Sequence, residues 1–124
     1  MEAKELRIGN IIHSKEQSHN DKGEFTGWVN YEIIVDLEVL QNILTNNTDF
    51  KYSAIPLTEE WLIKFGFVKV RDYPVFRLDG LQIEFNGFDS QWGAGLLDEK
   101  TVLKYVHQLQ NLFFALKGKE LTLK

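Results

Sequence analysis

The spacing of apolar residues changes at Gly66, and this change divides the second half of the chain into a helix followed by strands. Thr58 is a favoured N-cap residue, and Leu57 and Leu62 occupy the two positions of a hydrophobic staple around it. Gly66 is the left-handed residue with which a helix commonly ends. Beyond Gly66 the helical period gives way to alternation of apolar and polar residues, which indicates β-strands.

The segment after Gly66 predicts a β-meander. Its predicted strands are residues 67–70, 75–78 and 81–85. Asp79-Gly80 predicts a two-residue hairpin turn because both residue types tolerate positive φ, and Asn86-Gly87 repeats that signal. Residues 88–97 add a weaker last strand, since Gly93-Ala94-Gly95 lacks side chains that pack.

The C-terminal segment predicts one amphipathic helix over residues 102–116. Its apolar stripe consists of Val102, Tyr105, Val106, Leu109, Leu112, Phe113 and Leu116. Asp98 or Thr101 is expected to cap its start and Gly118 to end it, with a short strand at Leu121 and Leu123. The predicted fold class is therefore α+β: a twisted antiparallel sheet packed by the C-terminal helix, plus two short helices.

The first third of the chain supplies the remaining predicted elements. A strand over 6–12, interrupted at Gly9-Asn10, precedes a polar loop over 13–27 and a second strand over 28–35. Asp36 predicts the N-cap of a short helix, and residues 50–55 are predicted to be extended. The apolar stripe of that helix is Leu37, Val39, Leu40, Ile43 and Leu44.

Length and composition predict a single soluble domain spanning 1–124. With 44% hydrophobic and 13% aromatic residues, the 124-residue chain can build a packed core. It has no cysteine, which excludes disulfides and thiolate metal sites and fits a reducing cytoplasm. No apolar run is long enough to span a bilayer, and the charged start of the chain resembles no signal peptide.

The charge balance argues against nucleic-acid binding. The chain has 14 basic and 18 acidic residues, a net charge of −4, and the basic residues are scattered. Proteins that bind duplex nucleic acid usually present a basic stripe that neutralises phosphates. We therefore predict neither a nucleic-acid partner nor a membrane partner.

Catalytic, cofactor-binding and metal-binding motifs are not evident. The sequence contains no phosphate loop, dinucleotide fingerprint, metalloprotease motif or nucleophile elbow. His13 and His19 are not at a usual ligand spacing, so a solvated loop explains them better than a metal site. The prediction is a protein without catalytic residues, metal or cofactor, although an unrecognised enzyme stays a third alternative.

Five residues are candidates for binding a polar ligand. His107 and Asn111 lie four residues apart on one face of the last helix, where an imidazole and amides can form a hydrogen-bonding strip. The alternative is that this face braces the sheet or loops. Trp92, beside the glycine-rich segment, is predicted either to stack on a flat ligand or to plug the sheet edge. Arg71 or Arg77 would contact a phosphate.

Three blocks of sequence carry a resemblance to a known family. They are residues 5–10 (ELRIGN), 55–67 (IPLTEEWLIKFGF) and 105–116 (YVHQLQNLFFAL), the last followed by Gly118. Together, over about a third of the chain, they resemble a family of small uncharacterised proteins encoded by phages and prophages of gut-type bacteria; Lys117 stands where related members usually have threonine. The resemblance implies no activity and no catalytic residue. It implies a phage accessory protein in the cytoplasm of the bacterial host, a class that often inhibits host defence by binding.

These observations predict non-catalytic binding. The first expectation is sequestration of a small nucleotide-like immune signal, in a homo-oligomer whose protomers share a site. The alternative is a protein–protein inhibitor or adaptor that acts on a host protein through an exposed sheet edge or the glycine-rich segment. A concave pocket lined by arginine and aromatic side chains would favour the first, and a flat apolar patch would favour the second.

Overall fold

The computed structural model describes residues 3–46, 51–72, 74–87, 90–96 and 99–124. Their contacts group into two compact units, Met1–Ile55 and Pro56–Lys124. The described part contains three α-helices and two antiparallel sheets, which confirms the α+β class. A single domain spanning 1–124 stays a prediction.

The first unit is a three-stranded antiparallel sheet with one helix. Its elements are a single 3-10 turn at Ala3–Glu5, strands β1 (Ile11–His19), β2 (Phe25–Ile34) and β3 (Lys51–Ser53), and helix α1 (Leu37–Leu44). The strand order is β2-β1-β3, so β1 is central. The predicted helix and the predicted extended segment are thus confirmed over their described residues.

A small apolar core holds α1 in this unit. Its buried residues are Ile12, Val35 and Val39, against which Leu6, Ile33, Leu40, Ile43 and Tyr52 pack. Asp36 caps α1 as predicted, since its Oδ1 accepts a hydrogen bond from the backbone N–H of Val39 at 2.9 Å. Two residues of the predicted apolar stripe of α1, Leu37 and Leu44, are exposed and lie outside this core.

The predictions of a strand over 6–12 and a loop over 13–27 are wrong. Residues 6–10 form a tight turn, in which the Oδ1 of buried Asn10 accepts from the N–H of Arg7 at 2.6 Å and Gly9 has a φ of 100°. The strand starts at Ile11 and continues to His19. Most of its residues beyond Ser14 are exposed, so the segment lacks the apolar alternation that marks a half-buried strand.

The second unit is a five-stranded meander with two helices. Its elements are α2 (Glu59–Lys64), β4 (Val68–Lys69), β5 (Val75–Leu78), β6 (Leu81–Asn86), β7 (Gln91–Leu96), β8 (Glu99–Leu103) and α3 (Val106–Lys117). The strands follow one another in chain order and every neighbouring pair is antiparallel. This confirms the predicted meander.

Local capping explains both ends of α2. The Oγ1 of Thr58 accepts a hydrogen bond from the N–H of Trp61 at 3.4 Å, as the N-cap prediction requires. At the other end Gly66 has a φ of 94° and donates to the carbonyl of Ile63 at 2.9 Å, while the N–H of Phe67 donates to the carbonyl of Leu62 at 3.0 Å. These two bonds form a Schellman motif, so α2 stops at Gly66 as predicted.

The two predicted hairpin turns have different outcomes. Asp79 and Gly80 have φ values of 48° and 86°, the positive values of a type I′ turn, and they connect paired residues Leu78 and Leu81. The second prediction is wrong, because β6 continues through Asn86, which pairs with Gln91. The connection is therefore residues 87–90, of which Phe88 and Asp89 lie outside the described residues.

The start of the last helix was predicted too early. Residues 99–103 form β8, in which Val102 pairs with Gly93 of β7, and Tyr105 is the N-cap of α3. The Oε1 of Gln108 accepts from the N–H groups of Lys104 and Tyr105 at 2.8 and 3.1 Å and so satisfies the start of the helix. Thr101 therefore lies in a strand, and Asp98 lies outside the described residues.

The end of α3 agrees with the sequence. Gly118 has a φ of 69° and donates to the carbonyl of Phe114 at 2.8 Å. Residues 119–124 are not a strand, although Leu121 is buried there. The predicted terminal strand at Leu121 and Leu123 is therefore wrong.

One face of the five-stranded sheet makes the core of this unit. Alternate residues Phe76, Leu81 and Ile83 are buried, and so are Val106, Leu109 and Phe113 of α3, which packs on the sheet. Three members of the predicted stripe, Val102, Tyr105 and Leu116, are instead exposed. Within the described residues, no helix is long and apolar enough to cross a membrane.

A candidate binding surface on the first hairpin

The largest group of exposed aromatic and aliphatic side chains lies on β2. Five of its ten residues are large, apolar or aromatic and exposed: Phe25, Trp28, Val29, Tyr31 and Ile34. Because successive strand residues project from opposite faces, Val29 and Tyr31 lie on one face, and Phe25, Trp28 and Ile34 lie on the other. A group of exposed apolar side chains on one face marks a candidate binding surface.

A side-chain hydrogen-bonded turn forms the hairpin that presents β2. The Oδ1 of Asn20 accepts from the N–H groups of Lys22 and Glu24 at 2.9 and 3.0 Å. The backbone N–H of Asn20 donates to the carbonyl of Glu24 at 3.0 Å, and Gly23 has a φ of 80°. An asparagine that bonds to the following backbone is a common way to start a turn.

The register then determines which side chains share a face. Gln17 pairs with Trp28, Lys15 pairs with Asn30, and Lys15 also pairs with Lys51 of β3. Because directly paired residues project from the same face of a sheet, Trp28, Lys15 and Lys51 project together from three adjacent strands.

The side chains of this face converge on Trp28. The Nζ of Lys51 lies 4.5 Å from the centroid of the Trp28 ring, and the Nζ of Lys15 lies 5.6 Å from it. The ring of Phe25 meets Trp28 edge to face with centroids 6.0 Å apart. We call these four residues the Trp28 patch.

The Trp28 patch has the chemistry of a site for an anionic group beside an apolar surface. Two ammonium groups within about 6 Å of an indole centroid are in cation–π range. Lys15 and Lys51 are directly paired, however, and like charges directly opposite each other on a sheet destabilise it. A bound carboxylate or phosphate would remove that repulsion and leave the exposed rings of Trp28 and Phe25 to contact the rest of the ligand.

Trp92 lies on the core face of the second sheet. It pairs with Phe85, whose ring centroid is 4.9 Å away, and meets Phe76 edge to face at 5.7 Å. Phe76 is buried, and Trp92 is half-buried beside it. The ring therefore packs within an aromatic group on the core face of β7, which lies between β6 and β8 and is not the sheet edge that Trp92 is predicted from the sequence to plug.

Of the polar strip predicted on the last helix, only His107 is fully buried. His107 is 1% exposed and its ring stacks on that of Tyr105 with centroids 5.7 Å apart. Gln108 caps the helix, and Gln110 is also buried. Asn111 is half-buried. These placements favour the alternative in which this face of α3 braces the fold.

The two arginines do not join the other candidates. Arg71 is exposed, with a φ of 51°, in the connection between β4 and β5. Arg77 pairs with Gln82, donates from its Nε to the Oε1 of that residue at 2.9 Å, and alternates with buried Phe76. It therefore projects from the sheet face opposite to Trp92. The five predicted residues do not converge on one pocket.

A cavity of about 170 Å³ does occur in the second unit, but it does not contain these residues. Phe65, Leu78 and Phe113 form part of its wall, and the ion pair between Lys119 Nζ and Asp79 Oδ2 spans 3.1 Å there. Its volume is below the roughly 300 Å³ at which sites for drug-sized ligands begin. No arginine lines it, so it does not correspond to the predicted nucleotide pocket.

Sequence reasoning missed the Trp28 patch because it assigned Lys15 and Phe25 to a loop. The signal was nevertheless present: Asn20, Asp21 and Gly23 form a turn cluster in the middle of the polar segment. Reading that cluster as a hairpin turn would have paired the segments on either side and placed Lys15 near Trp28.

Comparisons with known proteins found no match among protein-family models, curated proteins or solved structures. In the described part of the chain, no group of three or more histidine, aspartate or glutamate residues is placed to hold a metal ion. The geometry of the Trp28 patch is therefore the observation that bears on function.

Proposed function

We propose that the protein is a non-catalytic binding protein that acts on another protein, as an inhibitor or adaptor, through the Trp28 patch. The observation that carries this proposal is the convergence of Lys15 and Lys51, paired on neighbouring strands, on the exposed ring of Trp28. The partner accordingly carries an acidic segment with an adjoining apolar side chain.

The openness of the surface supports a protein partner. The patch stands on a sheet face, whereas small-molecule sites are concave and enclose most of the ligand. Tryptophan is enriched among the residues that dominate protein interfaces, and its exposed ring is flanked here by Phe25. The resemblance to phage accessory proteins, a class that often inhibits host defence by binding, is compatible with this proposal and with the second candidate ligand below.

The first test is comparative capture from a bacterial lysate, followed by titration with the purified partner. We expect Trp28→Ala to lower the affinity by about 30-fold, the equivalent of roughly 2 kcal/mol at an interface hot spot. Phe114→Ala is a matched control because it also truncates an exposed aromatic residue, on α3. Equal affinities of Trp28→Ala and the wild type would contradict the proposal.

The charge of the patch provides a second readout. The double variant Lys15→Gln/Lys51→Gln lacks both ammonium groups of the patch. Its affinity for the partner should therefore be lower and less sensitive to salt. The control is Lys22→Gln with Lys4→Gln, which removes the same charge from exposed positions outside the patch. An unchanged salt dependence in the patch variant would show that the lysines do not contact the partner.

A small nucleotide-like signal is the second candidate ligand, favoured by the same combination of an exposed aromatic ring and two ammonium groups. Its site would be Trp28 and not the five residues predicted from the sequence. Calorimetry with cyclic nucleotides and ADP-ribose derivatives tests it, followed by chromatography of the recovered ligand. Intact ligand whose affinity falls in Trp28→Ala would support sequestration, altered ligand would indicate an enzyme, and no heat would exclude these ligands.

A further inference from the structure

Strand β2 is an open edge of the first sheet. In the described part of the chain it pairs with β1 on one side only, and it is ten residues long. Proteins usually protect such edges with lysine, proline or a very short strand. The edge strands β3 and β4 are three and two residues long and contain Lys51 and Lys69, whereas β2 has neither lysine nor proline and only one charge, Glu32.

The backbone groups of β2 that face outward can be assigned from two hydrogen bonds. Val35 donates from its N–H to the carbonyl of Asn10 at 2.8 Å, and Asn20 donates to the carbonyl of Glu24 at 3.0 Å. Since backbone groups alternate in direction along a strand, the residues at odd positions from 27 to 33 point their N–H and C=O groups towards β1. The N–H and C=O groups of Trp28, Asn30 and Glu32 consequently point away from β1.

A second copy of the same strand fits this edge. When a two-fold axis perpendicular to the sheet relates two antiparallel strands, residues on the same face pair with one another. With the axis at Asn30, the two copies of Asn30 pair, Trp28 pairs with Glu32, and Val29 pairs with Tyr31. The Asn30 pair and the two symmetry-related Trp28–Glu32 pairs have outward backbone groups, and each of these three pairs exchanges two hydrogen bonds, about six in total.

Charge complementarity supports this register. It places Glu32, the only charged residue of β2, directly opposite Trp28 of the other copy, on the face where the ammonium groups of Lys15 and Lys51 lie over the indole ring. A register with the axis at Val29 would instead put Glu32 opposite Thr26. With the axis at Asn30, Glu32 of each copy therefore lies beside the lysines of the other copy's Trp28 patch.

We propose that two copies of this protein pair antiparallel through β2, with the two-fold axis at Asn30. The two three-stranded sheets then form one six-stranded sheet. Glu32 of the second copy lies beside each Trp28 patch, so this pairing and the partner proposed above draw on the same two ammonium groups. The cross-linking test below needs no partner and therefore separates the two proposals. The two copies of the Trp28 patch come to lie on the same sheet face, about 13 Å apart along the strands for an offset of four residues.

Cysteine cross-linking tests the register directly, because the chain has no cysteine of its own. In the proposed dimer the two Cα atoms of residue 30 are about 5.5 Å apart, within the range of roughly 4.4–6.8 Å that a disulfide spans. Asn30→Cys should therefore form disulfide-linked dimers on mild oxidation, seen by non-reducing electrophoresis.

Two further cysteine variants provide the controls. Glu32→Cys lies on the same outward edge, but its two copies would be about 13 Å apart and should not cross-link. Val29→Cys would cross-link best if the axis were at Val29. Cross-linking of Asn30→Cys no greater than that of Glu32→Cys, or greatest cross-linking by Val29→Cys, would overturn the proposed register.

Sedimentation equilibrium tests the association without a covalent bond. Glu32→Lys places like charges together and should weaken the dimer at least about tenfold. Adding Lys51→Glu should restore part of the loss. Glu24→Lys changes the same charge in the hairpin turn, outside the pairing, and should leave the dimer intact. A wild-type protein that is monomeric throughout the micromolar range, with circular dichroism showing that it is folded, would refute the dimer.

Discussion

At the scale of single residues, burial separates side chains that the sequence groups together. Leu109 and Leu116 belong to the same predicted stripe of the last helix, yet Leu109 is fully buried and Leu116 is 46% exposed. The same holds for His107, which the sequence places on a polar strip and the fold buries. A residue's contribution to stability therefore follows its packing and not its position in a pattern.

The two leucines give a paired prediction. Leu109→Ala should lower the free energy of unfolding by about 2–5 kcal/mol, because it leaves a cavity in a packed core. Leu116→Ala, the same substitution on the same helix, should change it by less than about 1 kcal/mol. Urea denaturation of both variants measures the difference, and equal losses would show that the stripe is not packed as described.

At the scale of elements, chain geometry at the helix ends explains where the helices stop. The Schellman motif of α2 requires a residue with positive φ at position 66, and glycine adopts that conformation without a steric cost. Residues 5–10, 55–67 and 105–116 contain such local devices: the turn at Asn10, the cap at Thr58 and the capping glutamine Gln108. These segments fix local turns and helix starts, and they include no residue of the Trp28 patch.

Gly66→Ala tests the importance of this helix end. Alanine at a φ of 94° is strained, and its Cβ would lie 2.9 Å from side-chain atoms of Lys124, so stability should fall by about 1 kcal/mol or more. Gly87→Ala is the matched control, since a Cβ there meets nothing within 4 Å and no positive φ is required. Thermal unfolding compares them. Equal melting temperatures of the two variants would contradict this account of the helix end.

At the scale of the whole molecule, the net charge of −4 opposes the local positive charge of the Trp28 patch. Two ammonium groups beside one ring suit a compact acidic segment, but they are too few to neutralise a row of phosphates. The patch therefore favours a protein partner with local negative charge over extended duplex nucleic acid.

The corresponding prediction is that generic duplex DNA does not bind tightly at physiological salt. In an electrophoretic mobility shift assay, protein concentrations up to about 1 µM should give no salt-sensitive complex with the DNA. A sub-micromolar complex that weakens steeply with added salt would reveal a basic surface that the charge count does not predict. Lys15→Gln with Lys51→Gln would then show whether the Trp28 patch forms that surface.

Elements with local causes could be predicted from the sequence alone. The caps at Asp36 and Thr58, the helix stop at Gly66 and the Asp79-Gly80 turn all depend on a few neighbouring residues, so the sequence predicts them at their observed positions. The meander and the α+β class follow, because alternation on a half-buried sheet is also visible in short segments.

The first hairpin and the surface on it depend on pairing between distant segments of the chain. Of the two strands of this hairpin, the sequence predicts only the second, over 28–35. Most side chains of β1 beyond Ser14 are exposed, and backbone pairing by itself leaves no period in the sequence. Lys15, Trp28 and Lys51 come from three strands and meet through their register. Long-range pairing, which no local pattern encodes, therefore creates the site, and it also separates Arg77 from Trp92 by placing them on opposite faces of one sheet.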